Sequence, residues 1–444
     1  MFHTVTGISE GFHDACKTII ADGKIVYAGH AERYSRIKND KNLHPNMPFN
    51  EGMTVFYERP FLKNTRRFYA GQSWKKRPKY DFYVPHHWSH AAASYYTRPF
   101  KFQEPVCVVI DAIGEWDTAS IWYRKKKVWS MKYPQSLGLF YSAITRHIGL
   151  KPNEDEFITM CLAAMGTPKY EWDPYANYHK GAYFGRGAKE DIAASAQKIL
   201  EDEIIKIMKR ARKYSAYLCY GGGVALNCVA NTKIRPMFND MWIFPNPGDG
   251  GSSFGAAASV LELPPYNTIQ FDNCFLGYDI KGELDVAKVV DNLLQYKVCG
   301  VANGRAEFGP RAFGNRSLLG DPRVDNIKDL VNQVKGRQSY RPFSPAILEE
   351  YAKDYFTGPM NEYMQYVSKS KHDYKGVMHV DGTSRVQVVK DDGSNMRKVL
   401  EEWYRATKCP MLLNTSLNIK GMPLVNTVKD AQEFEKLTKV PVIT

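Results

Sequence analysis

Residues 106–129 read VCVVIDAIGEWDTASIWYRKKKVW. The first five are apolar and predict a buried strand that ends at Asp111, and the remainder predicts a hairpin with a basic turn. Residues 4–27, TVTGISEGFHDACKTIIADGKIVY, repeat this order, with a polar loop that carries His13 and Asp14 and a hairpin that turns at Asp22-Gly23. The repeat predicts a duplicated αβ lobe with a cleft between the two copies.

His86 and His90 occur in the segment PHHWSHAAASYY, which is rich in Ala and lacks Gly. In a helix this spacing places both imidazoles on one face. Asp111 and Asp249 each follow an apolar strand-like run, where open α/β sheets place their active crevice. Two imidazoles and two carboxylates would suit Fe(II), Mn(II) or Zn(II). The alternatives are a solvated helix face for the His pair and a turn or helix cap for each Asp.

Length and composition favour a soluble protein of more than one domain. The chain has 444 residues, a mass of 50.7 kDa and 44% hydrophobic residues, which is enough for two or three packed units. It contains no apolar stretch of the roughly 20 residues that span a bilayer, and its start does not resemble a signal peptide. We therefore expect a cytoplasmic protein without a membrane partner. The 8 Cys form no CxxC pair and are interpreted as reduced packing residues.

The formal net charge is +13, which favours a polyanionic partner such as nucleic acid. Residues 63–80, KNTRRFYAGQSWKKRPKY, contain no acidic residue and interleave aromatic with basic side chains. Cations for phosphates and rings for base stacking would serve an extruded or single-stranded nucleotide. The nucleic-acid-binding candidates are Arg66, Arg67, Trp74, Lys75, Lys76 and Arg77. The alternative is a solvated basic loop whose aromatic side chains pack inward.

A glycine run follows the predicted strand 216–220. Gly222 and Gly223 would let a ligand approach bare backbone N–H groups, and the helix start after Asn227 would attract phosphate. The alternative is a tight turn. The periodic segment 189–214 predicts a long amphipathic helix that serves as scaffold.

A loop that contains Pro264-Pro265 and continues to about Gly277 separates this part from a second unit rich in Arg. Arg concentrated beside Gly and Pro suits a polyphosphate site better than a solvated helix face. Asn414 and Ser416 follow an apolar strand and could donate to phosphate or ribose, although an ordinary polar turn is the alternative. The basic candidates are Arg305, Arg311, Arg316, Lys335, Arg337 and Arg341.

The order of motifs resembles the O-carbamoyltransferase family typified by TobZ, NodU and CmcH. The motifs are HDA at His13, AERYSRIKND, HHWSHAAASYY, DAIGEW, GGGVALNCVAN, GDGGSSFGAA, GRAEFGPRAFGNRSLLGDPR, RPFSPAIL and NTSLN. The resemblance implies an α/β protein with a duplicated actin-like (ASKHA) domain at residues 1–265, similar to TsaD. It further implies a YrdC-like α/β domain at residues 278–444.

The resemblance also implies a reaction and a set of roles. The second domain would convert Mg-ATP and carbamoyl phosphate into carbamoyl adenylate, which passes internally to the first. There the metal, expected to be Fe(II) with Mn(II) or Zn(II) as alternatives, meets the acceptor hydroxyl. His86, His90, Asp111 and Asp249 would hold the metal, and His13 with Asp14 would serve catalysis. Gly222, Gly223 and Asn227 would contact the adenylate. The polyphosphate site would use Arg305, Arg311, Arg316, Lys335, Arg337, Arg341, Asn414 and Ser416.

This chain departs from the family pattern in two places. Residues 156–166 read EFITMCLAAMG where the family has an EFKxMGLAPYG-like segment, and residues 63–80 have no obvious counterpart in the antibiotic enzymes. The first departure would alter a contact to the acceptor or to the nucleotide, and the second concerns the acceptor more than the reaction. The hypothesis is therefore an ATP-dependent O-carbamoyltransferase that acts on the hydroxymethyl group of 5-hydroxymethylcytosine in phage-type DNA. If the protein is encoded by a phage, we expect it in the cytosol of the bacterial host. A homodimer is compatible with the sequence.

Three alternatives remain open. The first is a small-molecule acceptor such as an aminoglycoside, a cephem or a Nod-factor sugar. The second is a non-catalytic nucleic-acid-binding module, for which the intact histidines and arginines would have no use. The third, threonylcarbamoyl transfer to tRNA, would need a separate supplier of adenylate, which the fused second domain makes unnecessary.

Overall fold

The computed structural model describes residues 4–100, 102–261 and 267–444, and these form two compact units. The first unit consists of the described part of Met1–Ala28 together with Lys41–Asp272, and the second of Gly29–Asp40 together with Asn273–Thr444. The predicted domain limits did not assign Gly29–Asp40 to the second unit. Pro264 and Pro265 of the predicted linker lie outside the described residues.

The first unit begins with a five-stranded sheet in the order β3-β2-β1-β4-β5. Its strands are β1 (Thr4–Ser9), β2 (Cys16–Ala21), β3 (Lys24–His30), β4 (Met53–Phe56) and β5 (Phe82–Tyr83). β1 pairs antiparallel with β2 and parallel with β4. Asp22 and Gly23 have φ values of 48° and 74°, so the predicted turn between β2 and β3 is confirmed.

A second five-stranded sheet follows, in the order β10-β9-β6-β7-β8. Its strands are β6 (Val106–Ile110), β7 (Asp117–Tyr123), β8 (Lys126–Lys132), β9 (Tyr217–Gly221) and β10 (Asp240–Ile243). β6 pairs antiparallel with β7 and parallel with β9. If the strands of each sheet are numbered from one in chain order, both sheets have the order 3-2-1-4-5. In both sheets the first strand pairs antiparallel with the second and parallel with the fourth. The predicted duplication is therefore confirmed, and the tandem arrangement is that of the actin-like (ASKHA) fold.

Helices connect and cover these strands. They are α1 (Glu32–Ser35), α2 (Pro60–Tyr69), α3 (His86–Thr97), α4 (Leu137–His147), α5 (Glu156–Ala163), α6 (Lys189–Ala211), α7 (Cys228–Ile234) and α8 (Asp249–Ser259). α1 belongs to the second unit. α3 and α8 pack through small residues, and a Cβ atom placed on Gly255 would lie only 1.7 Å from the carbonyl oxygen of Ser89. This close approach brings the first residues of both helices together.

The second unit is also α/β, and its main sheet has six strands in the order β19-β15-β20-β14-β12-β21. The strands of this unit are β11 (Phe275–Ile280), β12 (Val298–Ala302), β13 (Gly304–Glu307), β14 (Arg316–Gly320), β15 (Ser344–Leu348), β16 (Phe356–Thr357), β17 (Ser368–Ser370), β18 (Thr383–Ser384), β19 (Gln387–Val389), β20 (Met411–Ser416) and β21 (Val442–Ile443). Its other helices are α9 (Val286–Tyr296), α10 (Ile327–Lys335), α11 (Glu349–Tyr355), α12 (Asn395–Thr407) and α13 (Val428–Thr438).

Both faces of the six-stranded sheet are buried. Leu412 and Leu413 are neighbours in β20 but belong to different apolar clusters, because successive side chains of a strand point to opposite faces. The cluster around Leu412 includes Trp403, which is fully buried and donates its indole N–H to the carbonyl oxygen of Met411. The similarity of this unit to YrdC stays a prediction.

All 8 Cys lie in the described part of the chain, and none forms a disulfide. Every one except Cys161 is buried, in keeping with the predicted packing role. Within the described ranges, no helix has both the length and the apolar character needed to cross a bilayer.

Candidate metal centre

The two predicted histidine ligands lie in the first turns of α3. Pro85 is the N-cap residue, and its carbonyl oxygen accepts the first helical hydrogen bond, from the N–H of Ser89 at 2.9 Å. His86 and His90 are both buried, and their Nε2 atoms are 3.1 Å apart. The solvated-face alternative is therefore excluded for this pair.

The two predicted carboxylates meet the histidines. Asp111 follows β6 directly, and its Oδ2 lies 3.1 Å from His86 Nε2 and 3.3 Å from His90 Nε2. Asp249 Oδ1 lies 3.5 Å and 3.2 Å from the same two nitrogens. Asp249 is the first residue of α8 rather than the end of a strand, so that detail of the prediction was wrong. One ligand atom from each of the four residues lies within 4.8 Å of all the others.

The surrounding hydrogen bonds fit a metal ion. His90 Nδ1 lies 3.0 Å from the carbonyl oxygen of Pro247, so an N–H there would leave Nε2 as a lone-pair donor. Asp111 Oδ1 accepts the backbone N–H groups of Ala112 at 2.8 Å and Gly223 at 3.3 Å, which leaves Oδ2 for the cluster. Two imidazoles and two carboxylates are a donor set that Fe(II), Mn(II) and Zn(II) all accept.

Burial and the neighbouring charges have opposite effects on the pKa values of the residues in this cluster. Burial disfavours the charged form of His86, but Asp249, Asp111 and Glu58 outweigh it and raise its pKa to about 10. The pKa of His90 is raised for the same reason, and the pKa of Asp111 is held well below its ordinary value by the two histidines despite burial. Positive charge is therefore strongly favoured beside these carboxylates, and a divalent cation would supply it in place of the protons.

His13 and Asp14 lie in the loop between β1 and β2, next to this cluster. His13 Nε2 is 3.9 Å from Asp249 Oδ2, and His13 Nδ1 is 2.9 Å from Asp14 Oδ2. Burial lowers the pKa of His13, but Asp14, Asp249 and Asp111 raise it by more, to about 9. Both side chains are about one-third exposed, so an acceptor can reach them from solvent.

The predicted adenylate residues lie beside the cluster but have local structural roles. Gly222 has a φ of 89°, and a Cβ atom there would lie 2.3 Å from the carbonyl oxygen of Ile110. Gly223 donates its N–H to Asp111. Asn227 caps α7 and its side-chain amide donates to Gln197 at 3.0 Å. The tight-turn alternative thus describes the two glycines, and a contact of these three residues to adenylate stays a prediction.

Two arginines of the second unit are engaged with backbone carbonyls. Arg316 is fully buried and donates to the carbonyl oxygens of Asn303, Gly304, Asn315, Tyr278 and Asn426. Burial lowers its pKa to about 10. Arg305 donates to the carbonyl oxygen of Leu276 at 2.6 Å. A contact from Arg316 to phosphate would require several of these bonds to break, so its phosphate-binding role stays a prediction.

Lys335 ends α10 and is buried. Its ammonium donates to the carbonyl oxygen and hydroxyl of Ser416 and to the carbonyl and side-chain oxygens of Asn418. Burial, with Arg337 and Arg341 nearby, holds the pKa of Lys335 well below its ordinary value. All four of its acceptors are neutral, so an anion at this position would stabilise its charge.

The remaining predicted phosphate residues lie in and around the six-stranded sheet. Asn414 is buried in β20 and donates to Ala312 and Gln387. Arg337 donates to Asn332 at 2.6 Å. Arg311 lies in the loop between β13 and β14, and Arg341 in the loop before β15.

The basic and aromatic segment 63–80 contributes most of α2 and the loop after it. Arg66 is buried and donates to the carbonyl oxygen of Glu115, so a contact to nucleic acid would require it to move, and its predicted role stays a prediction. Several other side chains of this region face solvent. The α2 surface is defined as Phe61, Arg67, Phe68, Tyr69, Trp74, Lys75, Lys76 and Arg77. Lys75 Nζ donates to the carbonyl oxygen of Gly11 at 3.4 Å, which connects this surface to the loop of His13.

Sequence reasoning missed two buried acids next to α3. Glu58 Oε2 lies 3.7 Å from His86 Nδ1, and Glu115 Oε1 accepts the backbone N–H of Arg59 at 2.7 Å. Glu58 comes shortly after the buried strand β4. This is the signal that identified Asp111, so it could have found Glu58 as well.

Comparison with known proteins associates the chain with one family. A model described as carbamoyltransferase N-terminus matches residues 48–184 and 174–258, and one described as carbamoyltransferase C-terminus matches residues 290–444. The nodulation protein NolO of Bradyrhizobium diazoefficiens is 31% identical over 78% of this chain and 75% of its own. An uncharacterized protein of Synechocystis is 29% identical over 96% of this chain and 93% of its own.

Solved structures resemble the chain only in part. Component A of (R)-2-hydroxyglutaryl-CoA dehydratase from Acidaminococcus fermentans is 15% identical, with a TM-score of 0.37, over 58% of this chain and 96% of its own. HypF of T. kodakarensis is 12% identical, with a TM-score of 0.34, over 58% of this chain and 47% of its own. The fold assignment therefore depends on the strand order of the two five-stranded sheets.

Proposed function

Because the chain belongs to the carbamoyltransferase family, we propose that it is an ATP-dependent O-carbamoyltransferase whose acceptor is the hydroxymethyl group of 5-hydroxymethylcytosine in DNA. One observation supports the reaction above all others. The side chains of His86, His90, Asp111 and Asp249 come from separate parts of the chain and present ligand atoms within 4.8 Å of one another. A protein that only bound nucleic acid would have no use for this arrangement.

Donor activation is assigned to the second unit. Carbamoyl phosphate is a sluggish donor. Water would release its phosphate, and the carbamate formed would attack the α-phosphorus of ATP and displace pyrophosphate, which gives a carbamoyl adenylate with a better leaving group. The uncompensated ammonium of Lys335, with Arg337 and Arg341 nearby, would attract the phosphates.

Transfer to the acceptor is assigned to the cluster in the first unit. His86, His90, Asp111 and Asp249 would hold a divalent metal, which when bound polarises the carbamoyl carbonyl. The acceptor oxygen attacks the carbamoyl carbon and AMP leaves. A divalent cation held by Asp111 and Asp249 would offset two of the carboxylates that raise the pKa of His13, so that the neutral ring could accept the hydroxyl proton at Nε2. Asp14 accepts a hydrogen bond from His13 Nδ1–H at 2.9 Å and thereby orients the ring.

His13 offers a test that separates catalysis from binding. We expect His13→Asn to reduce carbamoyl transfer by about a hundredfold or more, because general-base catalysis contributes roughly that amount. DNA affinity should stay within about twofold of wild type, since His13 lies outside the α2 surface, to which the phosphate contacts are assigned. Single-turnover rates and a fluorescence binding assay on the same preparations measure the two quantities. Undiminished transfer would contradict the assigned role.

The acceptor proposal is supported by the α2 surface. This surface combines exposed rings with exposed cations, and the net charge of the chain is +13. α2 begins two residues after Glu58, which lies 3.7 Å from His86 Nδ1. A polyanion held by Lys75, Lys76 and Arg77, with bases stacked on Phe61 or Trp74, would thus bind near the cluster.

Charge reversal on the α2 surface tests the DNA contact. We expect Lys75→Glu with Lys76→Glu to weaken DNA binding by about tenfold or more and to lower the slope of log affinity against log salt by about two. The matched control is Arg124→Glu with Lys126→Glu, which reverses two exposed charges in the basic turn between β7 and β8. Equal losses in both double variants would mean that only net charge matters, and the α2 surface would lose its role.

The acceptor itself is identified by mass spectrometry. The protein is incubated with ATP, carbamoyl phosphate and DNA that contains hydroxymethylcytosine, and the DNA is digested to nucleosides. We expect one added carbamoyl group per modified nucleoside, and none on DNA with unmodified cytosine. If the DNA gains no carbamoyl mass, the DNA proposal is wrong.

The second candidate is a small-molecule hydroxyl, such as that of an aminoglycoside, a cephem or a Nod-factor sugar. It is favoured by similarity to nodulation proteins, including nodulation protein U of Azorhizobium caulinodans, 32% identical over 57% of this chain. To distinguish the two candidates, these small molecules and hydroxymethylcytosine DNA are offered together in one reaction, and the carbamoyl group gained by each acceptor is measured.

A further inference from the structure

The two histidines of the candidate metal centre differ in how their second ring nitrogen is supported. His90 Nδ1 lies 3.0 Å from the carbonyl oxygen of Pro247 and 3.1 Å from the hydroxyl of Ser252. His86 Nδ1 is buried and has no hydrogen-bond partner among the described residues. A buried ring nitrogen without a partner is costly, so its nearest polar neighbour matters.

That neighbour is Glu58. Its Oε2 lies 3.7 Å from His86 Nδ1, within ion-pair range and less than 1 Å beyond a hydrogen bond. Glu58 is buried, with 4% of its surface exposed, and its Oε1 accepts a hydrogen bond from Lys63 Nζ at 2.6 Å. The ring of Tyr57 lies 5.2 Å from that of His86 and limits how far the imidazole can turn.

We propose that Glu58 is a positioning residue that orients His86 toward the bound divalent metal, and that Lys63 holds Glu58 in place for this role. The inference rests on the proposed metal centre and adds a carboxylate–histidine–metal relay to it. An N–H at His86 Nδ1 that donates to Glu58 leaves the lone pair of Nε2 free for the metal that Asp111 and Asp249 would also hold. Outer carboxylates of this kind fix the tautomer of a ligating histidine and increase its basicity.

The relay also connects the metal centre to helix α2. Lys63 is a residue of α2, and its ammonium lies 5.6 Å from the centre of the Phe12 ring, which is itself 4.6 Å from the ring of His13. Lys63 therefore touches both the outer carboxylate and the loop that carries the candidate base. An alternative role, in which Glu58 only neutralises the partly buried Lys63, predicts a stability effect and no effect on the metal.

The test measures metal affinity directly. Metal-free protein is titrated with Co²⁺, which substitutes for other divalent ions and absorbs visible light when bound. Wild type and Glu58→Gln are compared, and we expect the substitution to raise the Co²⁺ dissociation constant by about tenfold or more. The control is Glu203→Gln, because Glu203 is likewise buried, accepts from Lys206 at 2.6 Å and contacts Tyr175 instead of a ligand. The control should stay within about twofold of wild type.

A double-mutant cycle excludes a merely structural role. In a His86→Ala background, Glu58→Gln should cause no further loss of Co²⁺ affinity, because the residue through which it acts is absent. Should Glu58→Gln fail to fold by thermal melting, Glu58→Asp carries the same test. It keeps the charge opposite Lys63 and draws the carboxylate away from His86, and we expect a several-fold loss of affinity.

The outcomes separate this inference from the proposed function. If wild type binds Co²⁺ and every folded Glu58 variant binds it equally well, the positioning role is overturned while the metal centre stands. If Glu58→Gln weakens binding equally with and without His86, the effect does not pass through His86 and the inference is also wrong. If wild type binds no divalent ion, the metal centre fails and the relay fails with it.

Discussion

Asp111→Asn is expected to abolish carbamoyl transfer and to lower divalent-metal affinity sharply. Asn retains an oxygen that can accept the N–H groups of Ala112 and Gly223, so the turn after β6 should persist. The lost oxygen is the one that lies 3.1 Å and 3.3 Å from the two histidine nitrogens. An amide NH₂ there cannot bind a cation. We expect a loss of about a thousandfold in rate, or roughly 4 kcal/mol of transition-state stabilisation.

Metal content of the purified protein and single-turnover transfer rates measure this effect. The control is Asp117→Asn in β7, because Asp117 pairs with Lys127 at 2.6 Å in an ion pair that solvent reaches through the half-exposed Lys127 side chain. Such pairs contribute little, so the control should retain both metal and activity. If Asp111→Asn kept the metal content and rate of wild type, the four-residue cluster could not be the site of transfer.

Gly255→Ala is expected to destabilise the first unit and weaken metal binding together. In α8 the substitution should by itself favour the helix by about 1 kcal/mol. The added Cβ, however, would lie 1.7 Å from the carbonyl oxygen of Ser89 and 3.0 Å from the backbone nitrogen of Ala93. Both atoms belong to the backbone of α3, so the helices must separate, at a cost of about 3 kcal/mol or more. The net loss should be about 2 kcal/mol or more.

Denaturant unfolding and Co²⁺ titration of the same preparations measure the two effects. Metal binding should weaken because the histidines stand on α3 and Asp249 on α8, and the substitution moves one helix from the other. Gly248→Ala is the matched control, since a Cβ there meets nothing within 4 Å. A variant at Gly255 as stable as wild type would show that the two helices pack less closely than the structure shows.

Local patterns predicted much of the first unit. The run Val106–Ile110 is buried along its whole length, and Asp22-Gly23 adopts the turn that its residue types favour. The repeat of strand, loop and hairpin predicted that the second sheet resembles the first, because each copy contains its own apolar strand pattern and its own turn residues. The spacing of His86 and His90 predicted that their imidazoles lie on one face of a helix, since a helix fixes which residues share a face.

Helix α8 shows where local propensity fails. Its sequence DGGSSFGAAAS is rich in glycine, which disfavours an isolated helix, and the structure nevertheless places a helix there. The small residues allow close packing against α3, and that packing compensates for the weak propensity. Asp249 therefore reaches the cluster from a helix start, although it was predicted at the end of a strand.

Arg316 and Glu58 show that a sequence rich in charged residues does not reveal which partner each charged side chain will have. Arg316 lies among arginines predicted to face phosphate, but two of its hydrogen bonds go to the carbonyl oxygen of Asn426, 110 positions away. The burial of an arginine depends on such distant acceptors, which no local pattern reveals. Glu58 approaches His86 from another strand end, so its role required the three-dimensional arrangement.

The central claim is that the cluster of His86, His90, Asp111 and Asp249 is the site at which the carbamoyl group is transferred to a hydroxyl. It is tested most directly with isotopically labelled carbamoyl phosphate, ATP and a divalent metal, with hydroxymethylcytosine DNA and small-molecule hydroxyls offered as acceptors to wild type and to Asp111→Asn. Wild type should label an acceptor and release AMP, while the variant should still consume ATP without labelling any acceptor. Equal labelling by the two proteins, or no labelled acceptor with wild type, would contradict the claim.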